Sequence, residues 1–190
     1  MRIMWCSSIL LIALVSFGAA ATDMDIETLD KQLIAAVKEG DVAEVHKLLN
    51  EGASANAQEG NGWTALMWAS FHNFGEIVGV LIDAGAKIET HDGNGKTALI
   101  WAAASGHNEV VRLLLDAGAE VDAQTKLHAT ALMFAAERGR EATVTLLLEA
   151  GANPNGKDDM GWTALKKAQR GGHQKIVELL KANGAKDLTP

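Results

Sequence analysis

The chain has 190 residues, of which 48% are hydrophobic, and a formal charge of −7. That length bounds a single domain, and that apolar fraction excludes a disordered chain. An acidic chain without a run of Lys or Arg is not built to neutralise phosphate backbones, so nucleic acid is excluded as a partner.

Residues 1–21 differ from the rest. Arg2 is their one charge, an apolar run extends from Ile9 to Phe17, and small residues follow from Gly18 to Ala21. This is the layout of a secretory signal peptide cleaved after Ala20 or Ala21. The run is too short for a resident membrane span, although an uncleaved anchor is the alternative. The expected location is the periplasm or the extracellular space, with no membrane insertion after cleavage. Cys6 is the sole cysteine and leaves with the leader. The mature chain is then held by its core without disulfides.

Beyond the leader the chain repeats. Thr64, Thr97, Thr130 and Thr163 are spaced by 33 residues, each followed by Ala-Leu, and Gly85, Gly118, Gly151 and Gly184 keep the same period. The units are 22–58 (an N-terminal cap with a truncated start), 59–91, 92–124, 125–157 and 158–190 (a C-terminal cap). In each full unit a first helix starts at the Thr, whose hydroxyl can cap free N–H groups. It runs to a Gly such as Gly106. A second helix follows, over 109–116 in the third unit, where Val110, Val111, Leu113 and Leu114 recur at helical spacing. Gly118 ends it in a left-handed conformation, and a polar loop with Gly93 and Gly95 makes a finger-like turn. No unit can bury its faces alone, so stacking must build one continuous core. The ends carry polar residues: Asp30, Lys31 and Gln32 in the first unit, and Lys166, Lys167, Gln169 and Arg170 in the last. The lysine pair is expected to be a solvated cap.

Asp92 to Leu99 (D-x-x-G-x-T-A-L), Ala102-Ala103, Gly106-His107, Val110-Val111, Leu113 to Leu115 and Gly118-Ala119 resemble the ankyrin repeat family. The resemblance covers about residues 29–188. It implies an all-α ankyrin repeat solenoid, a single elongated domain of five helix–turn–helix units joined by β-turn fingers, of exported bacterial type. It further implies a non-enzymatic module that binds a protein or peptide partner through its concave face and fingers. More narrowly, exported proteins of this kind resemble modulators or inhibitors of an envelope enzyme or toxin. The family's TPLH reads TALM, TALI, TALM and TALK here, so the helix-starting proline is absent and the family's His contact is not carried over.

Alanines 102 and 103 and Gly106 let the paired helices approach, while Trp101 falls on the other side of the helix and is expected outside this packing. Trp68 and Phe134 hold the same position in the neighbouring units, and Lys167 holds it in the last. The three aromatics should form a stripe, with Phe71 beside it. Trp63 and Trp162 precede their Thr at the finger position, where the family contacts partners. Two readings of these rings stay open. Rigid aromatics are the usual anchors of an interface, and they also pack well between repeats. The unit 125–157 departs from its neighbours, with Thr125 and His128 where they have Asp and Gly, and with Leu127 on the exposed tip. His128 is expected at positive φ, at a cost of about 1 kcal/mol. Drift and shaping for a partner both account for this.

No chemistry is expected. Gly93 to Thr97 (GNGKT) is not a phosphate loop, because Thr90 stands where that motif needs Gly. The histidines lack metal-ligand spacing, and no catalytic arrangement can be assembled. Ala104, Ser105, Glu137 and Arg138 are expected to point outward and to offer at most one mixed-charge spot, too little for an enzyme or ligand pocket. The expectation is a monomer without cofactor or metal. A chaperone-like holdase of broad specificity is a further reading of the stripe.

Overall fold

The computed structural model describes residues 19–187. The expected leader lies outside them, except for Ala19 to Ala21, which open the first helix. Among the described residues the elements are α1 (Ala19–Glu39), α2 (Val42–Asn50), α3 (Ala65–Phe71), α4 (Gly75–Asp83), α5 (Ala98–Ser105), α6 (Asn108–Asp116), α7 (Ala131–Glu137), α8 (Glu141–Glu149), α9 (Ala164–Arg170) and α10 (Gln174–Ala182). They pair in chain order, one pair per 33-residue unit. Odd-numbered helices stack on one another in one layer and even-numbered helices in a second.

Small residues at fixed places make this stacking possible. Ala69, Ala102, Ala135 and Ala168 are fully buried, and no larger side chain there would let helix axes approach. Leu66, Leu99, Leu132 and Leu165 form one buried row, and Leu81, Leu114, Leu147 and Leu180 another. With Leu33 and Leu48 of the first unit in phase and buried, each row crosses every unit boundary, so the core is continuous.

Caps set the helix bounds. The hydroxyls of Thr64, Thr97 and Thr163 accept from the N–H groups of Met67, Ile100 and Lys166 at 3.2, 3.4 and 3.3 Å. Thr130 makes no such bond. Gly106 ends α5 at φ 85°, which a Cβ would disfavour. Residues opening α6, α8 and α10 reach back to the preceding unit. His107 and His173 donate from Nε2 to the carbonyls of Phe71 and Glu137 at 2.9 and 3.1 Å. A carbonyl only accepts, so that nitrogen carries the proton. These two histidines are thereby structural.

The fingers are tied by their backbones. The N–H groups of Gly93, Lys126 and Asp159 donate to the carbonyls of Asn61, Asn94 and Leu127 at 3.0, 3.1 and 3.1 Å. This ladder fixes each finger tip relative to the next, and with it every side chain the tips present.

Candidate functional site

The face formed by the fingers and the odd-numbered helices is built from two sequence columns. The first opens each finger: Glu59, Asp92, Thr125 and Asp158. The second lies nine residues on, in the first helix: Trp68, Trp101, Phe134 and Lys167. Where the second column carries a polar hydrogen, the first carries an acid that accepts it. The Trp68 indole donates to Glu59 and the Trp101 indole to Asp92, both at 3.2 Å. The Lys167 ammonium lies 3.0 Å from Asp158. Phe134 has no such hydrogen, and its partner column holds Thr125, whose hydroxyl accepts only from the finger's own Leu127 and Ala129 N–H groups. The departure at Thr125 therefore has a physical reason: those two N–H groups satisfy a hydroxyl, whereas an acid there would bury a second oxygen without the side-chain donor that Asp92 finds in Trp101.

Lys167 corrects the expectation of a solvated lysine pair. Lys166 is exposed, but Lys167 is buried between Asp158 and Glu137, the latter at 3.8 Å. It occupies the ring position of the other units, so stacking against α7 covers it. Burial opposes the charge of Asp158, yet its carboxyl is held below the ordinary range. The N–H of Trp162, the Lys167 ammonium and the N–H of Met160 together outweigh the burial.

A third column stands just before each Thr: Trp63, Lys96, Ala129 and Trp162. It inserts between successive members of the ring column. Trp63 lies 4.3 Å from Trp68 and 4.5 Å from Trp101 between ring centroids. Phe71 closes the group edge-on, 5.7 Å from Trp63 and 5.6 Å from Trp101. Trp101 is half-buried in a four-ring cluster between units, which is the inter-repeat packing that the sequence left open beside the interface reading. The cluster ends there. Lys96 places its ammonium 3.9 Å from the Trp101 centroid and 4.9 Å from that of Phe134. Burial lowers the pKa of Lys96, against the pull of Asp92 and with the push of Arg138. The expected stripe is therefore interrupted by a cation between Trp101 and Phe134.

Ala129 reaches neither Phe134 nor Lys167, and a cleft of about 680 Å³ opens at that place. Phe134 and Ala129 line it together with Leu127 and Met160, which are 65% and 67% exposed on adjacent finger tips. Lys96, Lys126, Glu137 and Arg170 are also at its wall. His128 supports this tip in the left-handed region, at φ 55°, and its imidazole contacts Asp159 at 2.5 Å. Trp162 sits apart in the last unit, with the Arg170 guanidinium 4.9 Å from its ring centroid. Of the outward positions expected, Ala104 is buried, and a carbonyl of its own accepts from Arg140 at 3.4 Å. The expectation of a single mixed-charge spot missed the cleft. The signal was the one small residue in a column otherwise filled by Trp or Lys.

A family model of ankyrin repeats in three copies matches residues 33–125 and 118–189. The chain belongs to the ankyrin repeat family. The face just described, made of fingers and first helices, is the concave face of the ankyrin solenoid. Among curated relatives, ankyrin repeat domain-containing protein 40 of Mus musculus is 48% identical over 44 residues, which are 23% of this chain and 12% of that protein. The same protein of Homo sapiens matches equally. Mitochondrial disaggregase of Bos taurus is 43% identical over 53 residues, 28% of this chain and 8% of that protein. The chain thus matches only a small part of the length of these relatives.

Among the described residues no helix is long and apolar enough to cross a membrane, and no group of three or more His, Cys, Asp or Glu is placed to hold a metal.

Proposed function

We propose that the protein is a non-enzymatic binding module of the periplasm or extracellular space, holding a protein or peptide partner on its concave face and fingers. One observation carries this reading. Leu127 and Met160 are large apolar side chains exposed on adjacent, backbone-tied finger tips, and both border the cleft over Phe134. Exposed apolar residues grouped around a concavity mark interaction sites. The fingers are preordered, so little conformational entropy is lost on binding. Within this reading the protein modulates or inhibits an envelope enzyme or toxin.

A chaperone-like holdase is the second reading, and the 53-residue likeness to a protein named mitochondrial disaggregase favours it. A holdase binds many unfolded chains with similar strength, whereas a dedicated module does not.

The test is capture of partners from an envelope extract by the tagged protein, beside a Leu127→Asp, Met160→Asp variant and an Arg112→Asp control on α6. These positions are exposed, so the fold is retained. A partner lost only by the finger variant supports the module. Capture unaffected by it rejects the concave face, and equal binding of unrelated unfolded proteins selects the holdase.

A further inference from the structure

We propose that the cleft over Phe134 recognises a specific chemistry: an apolar side chain next to a carboxylate, on an extended segment of the partner. This rests on the binding-module reading and narrows it.

The apolar half of the argument is steric. In unit two Trp63 fills the space between successive ring positions, and in unit three Lys96 does so. In unit four the same column holds Ala129, and the space between Phe134 and Lys167 stays open as the cleft. Half-buried Phe134 lines it, and exposed Leu127 and Met160 stand at its rim. Removing such surfaces from water is favourable only when an apolar group enters.

The acidic half is electrostatic. Three carboxylates line the cleft, and each is already engaged. Asp158 and Glu137 face Lys167, and Asp159 contacts His128. Of the four lining cations, only Lys167 has a carboxylate within 4.0 Å among the described residues. Lys96, Lys126 and Arg170 have none. Lys96 and Arg170 rest instead on aromatic faces, Trp101 and Trp162. A chain of formal charge −7 therefore presents, around this cleft, three cations with no carboxylate within 4.0 Å among the described residues. An incoming carboxylate completes their pairing, and the Arg170 guanidinium offers two parallel donors to it. A basic segment would meet like charge.

The occupant is a peptide segment because the apolar rim is borne on finger tips, at the outer edge of an open groove. An enclosed cavity would suit a small molecule instead.

The experiment titrates the full chain with three acetylated, amidated hexapeptides, followed by amide chemical shifts. In the first, Leu and Phe alternate with Asp. The second has Lys in place of Asp, and the third has Ser in place of Leu and Phe. The first is expected to bind at least tenfold more tightly than either other, with shifts at residues 125–129 and 158–162. Ala129→Trp, which copies unit two, is expected to weaken it at least tenfold with the melting temperature maintained. Arg170→Gln and Lys126→Gln, both at exposed positions, are expected to weaken it in proportion to charge lost. These variants carry the test if Ala129→Trp fails to fold. Equal binding of the acidic and basic peptides, no binding of the first at millimolar concentration, or binding indifferent to Ala129→Trp overturns the proposal. The broader reading survives such a result if the finger variant still loses its captured partner.

Discussion

The Trp101 indole N–H donates to the Asp92 carboxylate at 3.2 Å, across the width of a single finger. The same carboxylate accepts the N–H groups of Asn94 and Lys96 at 2.8 and 2.9 Å. One acid therefore shapes the finger and anchors the ring beneath it. Unit four keeps the first role with Thr125 and drops the second with Phe134.

These two columns should be energetically coupled. Asp92→Thr leaves the half-buried Trp101 N–H without its acceptor and is expected to cost about 1–2 kcal/mol. Asp92→Thr with Trp101→Phe reproduces unit four and is expected to cost less than the sum of the singles by about 1 kcal/mol. Urea unfolding of the four proteins measures this. Strict additivity would show that the pairing is coincidental.

Lys167 and Asp158 are 8% and 4% exposed, so neither charge can be left alone cheaply. Lys167→Met is expected to destabilise by about 3 kcal/mol, and adding Asp158→Asn should recover much of it. Acid acts through the same carboxyl. Its folded pKa lies below the unfolded value, so its contribution is complete above about pH 4 and is lost as pH falls through the folded value. The urea midpoint of the wild type should therefore drop more between pH 5 and pH 2 than that of Asp158→Asn. Equal drops would place the acid sensitivity elsewhere.

Ser70 is fully buried, and its hydroxyl has no hydrogen-bond partner among the described residues. Ala103 and Ala136 hold this position in the next two units. Ser70→Ala removes an unsatisfied group without leaving a sizeable cavity. A gain of about 1 kcal/mol is expected from thermal or urea unfolding. A loss would reveal that the hydroxyl has a partner in solution.

Gly95 and Gly161 occupy equivalent finger positions at φ 80° and 72°. A Cβ on Gly95 would lie 2.5 Å from the backbone nitrogen of Lys126, while one on Gly161 would meet nothing within 4 Å. Both alanine variants should cost about 1 kcal/mol for backbone conformation. Gly95→Ala should cost at least about 1 kcal/mol more, since the Lys126 to Asn94 backbone bond must break. Comparing the two unfolding midpoints isolates that second effect.

Much of this fold is legible in the sequence because it is set locally and then repeated. The left-handed glycines at 106 and 118, the caps at Thr64, Thr97 and Thr163 and the positive φ of His128 all follow from the chemistry of single units, whereas the cap expected at Thr130 is not formed. What was not legible depends on the unit next door. Lys167 reads as a solvated cap until α9 stacks on α7 and places its ammonium against Asp158 and Glu137. Trp63 reads as a finger residue until α5 brings Trp101 against its far face. Ala129 reads as nothing at all, because a cleft is a property of the space between columns. A signal was nevertheless present: an acid accompanies Trp or Lys nine residues on, and Thr accompanies Phe.

The central claim is that partners are held on the face of the fingers and odd-numbered helices. Amide hydrogen exchange of the protein, free and saturated with its captured partner, tests this most directly. The account predicts slowed exchange in the fingers at 92–96, 125–129 and 158–162. Slowing confined to α4, α6 and α8, with those fingers unchanged, would place the partner on the opposite layer and contradict it.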